Sequence, residues 1–499
     1  MHRINKVLLF IPPAVTFKDR IDINPLPPLG LGYLAASLEE KGIEVKIVDA
    51  LMEGWNSRIS VSEDLIRIGL PFENIAAIID DYKPDIVGVN NLFTKQRKFA
   101  HKIYEIAKKI RSDAVTVAGG AHPSVMPELV LADENVDYVI LGEGEKSLLD
   151  LIACIQENGD ISTLDGIGYK ERGSVKVIPK RKFITDLDAL PYPAWHLLNL
   201  EKYFGLTSSH GERRRKKFAP VITSRGCPAQ CTFCSAYAVW GRGFRARSPE
   251  NVLRELKYLK TRYGIEEIMF EDDNLTLDPG RAGEIFDGMR RDALGLTWDT
   301  PNGIAAWTLN EGLIDKMKAS GCHSINFAIE SGNQNVLDTI IKKPLDLKKV
   351  SPLVRYAKKT GLHVGIFLVV GMPHETEEQI WESFRFSASL GVFTPHISVA
   401  TPYPGSELFK LCKEKGFLRP DFSLDDLYIR SFAIATDVMS NTRLKEILAS
   451  GERFLLLTFL KKDPIGFVAL SLARLMKDPV YFFKKIINFI LRKDWTKLR

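Results

Sequence analysis

In the run Ser224-Arg225-Gly226-Cys227-Pro228-Ala229-Gln230-Cys231-Thr232-Phe233-Cys234, three cysteines stand three and then two residues apart. Three thiolates on one tight loop can ligate three irons of a cubic 4Fe–4S cluster and leave the fourth iron open. An open coordination position serves chemistry, whereas a purely structural site closes its shell. The competing readings are a zinc knuckle or three reduced core cysteines. Zinc usually takes a fourth Cys or His at matching spacing, and none follows closely: Cys322 is distant and His210 lies upstream.

The loop needs a scaffold. Residues 219–223 form a strand that delivers it, and further strand-like runs occupy 267–270, 296–299, 324–329, 363–369 and 397–399, each separated by a helix-length segment. Six strands alternating with helices imply a partial (β/α)6 TIM-type barrel with its site at the strand carboxyl ends. Ser248 and Pro249 read as an N-cap and first helical residue. Val252, Leu256, Leu259 and Tyr263 then make a core stripe. Four strand ends carry unusual residues: Glu271-Asp272-Asp273-Asn274, Glu330-Ser331-Gly332, Gly371-Met372-Pro373-His374-Glu375-Thr376 and Thr401-Pro402-Tyr403-Pro404-Gly405-Ser406. Any one acidic strand end is more often a helix cap or a solvated turn. Four among six strands, beside the cysteine loop, point to one site.

Ahead of the barrel, apolar runs at 6–11, 45–49, 85–90, 114–118 and 138–141 also alternate with helix-length segments. That pattern implies an α/β, doubly wound parallel sheet, whose ligands sit at the strand carboxyl ends. Asn90-Asn91, Gly119-Gly120-Ala121-His122-Pro123 and Gly142-Glu143-Gly144-Glu145 fall there. Glycines at such ends let backbone approach a large ligand. The alternative is a nucleotide-binding or flavodoxin-like sheet, but no Gly-x-Gly-x-x-Gly loop follows the first strand.

These motifs resemble the cobalamin-dependent radical S-adenosylmethionine (SAM) enzymes, class B methyltransferase-like, over nearly the whole chain to about Lys415. The resemblance implies a Rossmann-like cobalamin-binding domain over 1–150, a linker over 151–212 that is proline-rich at 186–195, and a radical SAM barrel over 213–415. A helical C-terminal region is expected over 416–499. The resemblance implies a cluster on Cys227, Cys231 and Cys234. SAM would be held by Glu271, Asp272, Asp273, Asn274, Glu330, Ser331 and Gly371, with Phe233 beside its adenine and Arg245 or Arg247 on its carboxylate. Cobalamin would lie against Asn90, Gly119, Gly120, His122, Gly142, Glu143, Gly144 and Glu145. There are two departures. Residues 12–28 contain no His to ligate cobalt from below, so cobalamin is expected without a lower protein ligand. Position 374 is His where the family usually has Gly.

By the same resemblance, a 5′-deoxyadenosyl radical takes a hydrogen atom from an unactivated carbon and methylcobalamin hands over a methyl group. A flavodoxin- or ferredoxin-type protein would be the electron donor. No side-chain base is required, and none is nominated. The rival reading is a cyclase that closes or contracts a ring without methyl transfer. A methylthiotransferase would carry a three-cysteine N-terminal domain that is absent here. A non-enzymatic cofactor carrier would have no use for the SAM-type strand ends.

Composition bounds the rest. Among 499 residues, 45% are hydrophobic and 26% charged, which is ordinary for a globular protein of two or three domains. Six cysteines, three of them in one motif, suit a reducing cytoplasmic setting. The short polar start before residue 6 implies no export signal. Of the net charge of +6, residues 451–499 hold a surplus, with eleven Lys/Arg against four Asp/Glu. The body is therefore near neutral, and no nucleic-acid partner is expected. Arg213-Arg214-Arg215-Lys216-Lys217 reads as a solvated linker or a phosphate contact. In the tail, Phe482, Phe483, Ile486, Ile487, Phe489 and Ile490 share one helical side, while Lys484, Lys485 and Arg492 share the other. No piece is long enough to span a bilayer. A basic amphipathic helix can lie on an anionic membrane surface, cap the barrel or make a dimer contact. The tail alone suggests a lipid or other hydrophobic substrate.

Overall fold

The computed structural model describes residues 3–18, 23–206, 210–428, 430–436 and 438–477. The five N-terminal apolar runs form one parallel sheet. Its strands lie in the order Glu44–Asp49, Lys6–Ile11, Ile86–Asn90, Val115–Gly119 and Tyr138–Ile140. Lys6–Ile11 pairs in parallel with a neighbour on each side. The winding direction switches there, so a crevice opens at the carboxyl ends of Lys6–Ile11 and Ile86–Asn90. Both faces are covered, which is why the strands read as continuous apolar runs. Leu31, Leu38, Leu148 and Leu151 pack on one face, and Ile75, Ile79, Ile103 and Tyr104 on the other.

Two short features lay outside the sequence reading. The segment expected as linker contributes a hairpin, Ile167–Glu171 and Ser174–Ile178, added antiparallel beside Tyr138–Ile140. Arg172 and Gly173, at φ 49° and 78°, form its tight turn. The sheet thus has seven strands and continues past residue 150. The stretch after the first strand, expected as loop, holds strand Ala14–Phe17, which pairs with Leu65–Ile68 in a separate small sheet. Strands this short carry little periodic signal, and partners distant in sequence decide them.

All six barrel strands are present: Phe218–Val221, Glu267–Phe270 and Thr297–Asp299 in one parallel sheet, and Ser324–Glu330, His363–Val370 and His396–Val399 in another. Parallel bridges Trp298–Cys322 and Ile304–Phe327 stitch the two in sequence order. Trp298 anchors the core, stacked on Phe286 at 4.8 Å and edge-on to Phe270 at 5.3 Å. Ser248 caps helix Pro249–Tyr263 as expected, accepting from Asn251 N at 3.2 Å. The proline-rich segment crosses the seam: Ala194 N donates to Gly32 O, and Trp195 Nε1 to Glu255 Oε1.

Helix Asn441–Lys462 closes the barrel against Glu377–Ser389. A Cβ on Gly451 would lie 2.1 Å from the buried Phe384 ring, so this close approach requires glycine. Pro464–Lys477 follows, with Ile465, Val468, Leu472 and Met476 exposed along it. The amphipathic segment at 482–492 lies outside the described residues. Among the described residues, no helix is long and apolar enough to cross a membrane. Overpacking at the tightest contact gives a direct check: Gly451→Val should destabilise the fold by about 1–3 kcal/mol, read from denaturant midpoints. An unchanged midpoint would contradict the packing.

Candidate active site

The cysteine loop is held from several sides. Gly226 takes φ 85°, and a Cβ there would lie 2.3 Å from Gly243 O, so only glycine lets the loop turn against residues 241–243. Thr232 donates its backbone N to Ile341 O at 2.9 Å and its hydroxyl to Ile340 O at 2.9 Å. Thr232 O accepts from Leu408 N. Phe233 packs against the barrel core. All three cysteines are free and half-buried. Burial pushes the Cys231 thiol up and the Cys234 thiol to about 11. Metal binding reverses that preference, because a coordinating thiol is deprotonated.

The acidic strand end divides into distinct roles. Asp272 is a fastener: it accepts from Thr223 N, Thr223 Oγ1 and Ser224 Oγ, tying the second strand to the start of the cysteine loop. Glu271 contacts His210 Nδ1 at 3.2 Å and accepts from Asn302 Nδ2. Asp273 and Asn274 have unspent capacity. Asp273 Oδ2 and both polar atoms of the Asn274 side chain are buried without a partner. Burial and the adjacent Asp272 charge push Asp273 up to about 6, and its charge acts on Cys234. Next door, Asp299 accepts from Glu212 N through one oxygen, while its other oxygen and Thr300 Oγ1 are buried and unpaired. Burial pushes Asp299 up to about 8.

At the fourth strand, Glu330 adopts φ 71°, an uncommon conformation for a non-glycine residue, and accepts from Lys343 Nζ at 3.0 Å. Ser331 and Gly332 are instead tied to Ser383 of the following helix. At the fifth, Glu375 Oε2 accepts from Gly371 N and Met372 N at 2.7 and 3.1 Å, leaving Oε1 buried and unpaired. Burial pushes Glu375 up to about 7. His374 sits at φ 68°, which explains why glycine suits that position.

On the sheet edge, Asn90 Oδ1, Asn91 Oδ1 and His122 Nε2 are buried and unpaired. His122 Nδ1 lies 3.1 Å from Thr94 Oγ1, and burial pushes its pKa down to about 4, so the imidazole is neutral. Gly120 at φ 100° lets the backbone pass Asn90, and a Cβ on Gly119 would meet nothing within 4 Å.

The Gly-Glu-Gly-Glu element is placed differently from the expectation of a corrin contact. Arg225 donates to Glu143 Oε1 at 3.0 Å and to Glu145 Oε1 at 2.6 Å, and Arg245 donates to Glu143 at 2.6 Å. Gly142 backs onto Val239 O, and Gly144 onto Leu34. These residues join the sheet to the cysteine loop. Arg247 is also withdrawn from the site. Its guanidinium is buried and donates to Glu255, Asn251 and Ile222 O, so it is not available to a SAM carboxylate. Arg245 is spent on Glu143, Ile184 O and Trp240 O. Arg225, Asp299, Lys343 and the carboxyl of Glu375 take their places through tertiary pairing; of these, only Arg225 and Glu375 belong to the cysteine and strand-end motifs.

The residues fit the expected groups. Among the described residues no three His, Cys, Asp or Glu side chains converge on a single-ion position. A cubane takes each thiolate on a separate iron, so the three cysteines need only border a common volume. Unpaired buried polar atoms around them suit a ligand with amine, carboxylate and hydroxyl groups. The open, polar sheet edge suits a large one.

Comparison with known proteins agrees. The Radical SAM superfamily model matches residues 221–387, and the B12 binding domain model matches 24–152. Cytidylyl-2-hydroxyethylphosphonate methyltransferase of Streptomyces wedmorensis is 37% identical over 456 residues, covering 85% of this chain and 84% of that protein. The chain belongs to the cobalamin-dependent radical SAM family. This radical SAM enzyme is also 34% identical over 409 residues to an uncharacterized methyltransferase of Pyrococcus horikoshii, covering 82% and 83% of the two chains. Its fold matches the radical SAM methyltransferase TsrM of Kitasatospora setae, solved with tryptophan substrate and a SAM analog. That match has a TM-score of 0.65 at 18% identity, covering 83% of this chain and 77% of that one. The cofactors of this cobalamin-dependent enzyme are a 4Fe–4S cluster, SAM and cobalamin.

Arg225→Met strands the buried Glu145 carboxylate and leaves Glu143 to Arg245 alone, and stranding a buried charge costs about 3–5 kcal/mol. A markedly lower melting temperature should follow. Adding Glu145→Gln to Arg225→Met, with the Glu143–Arg245 pair kept, should recover much of the loss. Equal stability of Arg225→Met and wild type would contradict the junction.

Proposed function

We propose that this enzyme methylates an unactivated carbon of a lipid or other hydrophobic natural product. One observation carries the two-cofactor part of this reading. Arg225, two residues before Cys227, is bonded to Glu143 and Glu145 at the carboxyl end of a sheet strand. That bonding supports a single reaction served by both cofactors. When bound, the cluster and SAM supply one-electron chemistry able to remove a hydrogen atom from carbon, and cobalamin supplies a methyl carrier.

The chain's own residues do the rest. Cys227, Cys231 and Cys234 hold the cluster. Asp273 and Asn274 offer their unpaired atoms to the polar groups of SAM, with Phe233 beside the adenine. Glu330 and the Gly371 turn border the same ligand. Asn90, Asn91, Gly119, Gly120 and His122 face the corrin edge, and the neutral His122 supports its loop through Thr94. Asp299, pushed up to about 8, is mainly protonated at neutral pH and can donate a hydrogen bond. The hydrophobic substrate class is supported by the exposed Ile465, Val468, Leu472 and Met476, a surface suited to peripheral contact with membrane. A flavodoxin- or ferredoxin-type protein would deliver the electron.

The test is anaerobic protein reconstituted with iron, sulfide and cobalamin, then given SAM, a reductant and a total lipid extract. Expected products are a methylated lipid, S-adenosylhomocysteine and 5′-deoxyadenosine. 5′-Deoxyadenosine without S-adenosylhomocysteine would contradict methylation and favour ring formation. Methylation of cytidylyl-2-hydroxyethylphosphonate, supplied in parallel, with none of the lipid would contradict the hydrophobic substrate class.

A further inference from the structure

Lys343 lies thirteen residues after Glu330 in a segment that carries no recognised motif. Its ammonium donates to Glu330 Oε1 at 3.0 Å, and the two side chains are only 6% and 8% exposed. It also lies over the Trp307 ring, 5.2 Å from the centroid. The backbone fixes its place beside the cysteines. Thr232, between Cys231 and Cys234, is bonded through both N and Oγ1 to the carbonyls of Ile341 and Ile340, directly ahead of Lys343. Lys342 at φ 59° turns the chain, and Lys343 N closes the turn on Leu337 O. The buried Lys343 ammonium interacts with the Cys231 and Cys227 sulfurs, with the sign that favours negative charge there. The Glu330 carboxylate acts on Cys231 with the opposite sign and less strongly.

We propose that Lys343, oriented by Glu330, is the fixed positive charge that sets the reduction potential of the cluster on Cys227, Cys231 and Cys234. Reduction adds one negative charge to the cluster. A buried cation nearby favours that state, and water screens it little. Glu330 holds the ammonium in place and partly offsets its field. Asp273, acting on Cys234, opposes it from another strand end. The inference rests on these three cysteines holding the cluster. It adds a role for Lys343 that exists before SAM arrives.

The experiment is an EPR-monitored redox titration of full-length protein reconstituted with iron, sulfide and cobalamin, without SAM. Lys343→Met should move the cluster midpoint to more negative potential, and Glu330→Gln should move it to more positive potential. Lys343→Arg should restore a value near wild type. If Lys343→Met alone fails to fold, the neutral Lys343→Met/Glu330→Gln pair serves, with a midpoint expected below wild type. A loaded cluster with an unchanged midpoint in these variants would overturn the proposal. So would an unchanged midpoint accompanied by weaker SAM binding, which would make Lys343 a SAM contact instead. Failure of the underlying reading looks different: wild-type protein would then take up no cluster that Cys227→Ala, Cys231→Ala and Cys234→Ala abolish.

Discussion

The ion network of Arg225 and Arg245 with Glu143 and Glu145 is the contact on which the two halves of the molecule depend. Two cations and two anions meet with Arg225 and Glu143 almost wholly out of water. Such a network is weak evidence for stability, because desolvation offsets most of the attraction. Its geometry is what matters here. Arg225 is fixed in the peptide that leads into Cys227, and the two glutamates follow strand Tyr138–Ile140 directly. The rings of Tyr33 and Trp240 flank the guanidinium at 5.3 and 4.9 Å, closing it off from solvent. The cysteine loop can therefore take one position relative to the carboxyl edge of the sheet.

Around that fixed loop the chain tolerates features that folding alone would remove. Buried polar atoms without partners each cost about 1–3 kcal/mol, and they recur at the strand ends, at Asn90, Asn91, His122, Asp273, Asn274, Asp299, Thr300 and Glu375. Glu330 and His374 hold left-handed backbone at two of the same barrel ends. A rigid barrel, with Trp298 locked between Phe286 and Phe270, maintains these arrangements. Concentrated unsatisfied polarity on a well-packed scaffold is the signature of a binding site.

Much of this was readable from residue order. Every parallel strand and every barrel strand announced itself, because a buried strand covered on both faces needs an uninterrupted apolar run. The cysteine spacing, the four marked strand ends and the glycine turns were equally plain. Orientation was not. Glu143 and Glu145 stood where ligand contacts belong, yet their partners come from Arg225 and Arg245, some eighty to one hundred residues on. Arg247 carried the right charge for a carboxylate, but Glu255, two helical turns later, consumes it. Lys343 had no local pattern at all, and only the folded turn after Ile341 brings it to the cysteines. Charges are assigned by tertiary pairing, which periodicity does not encode.

The proposed function requires sheet and barrel to present their two cofactors to one shared site. Reduced full-length protein carrying both a paramagnetic 4Fe–4S cluster and cob(II)alamin tests it by EPR. The junction at Arg225 predicts that the two spins interact, with broadened or split signals that disappear when either cofactor is left out. Two sharp spectra that simply add, with no change on combining the cofactors, would contradict it.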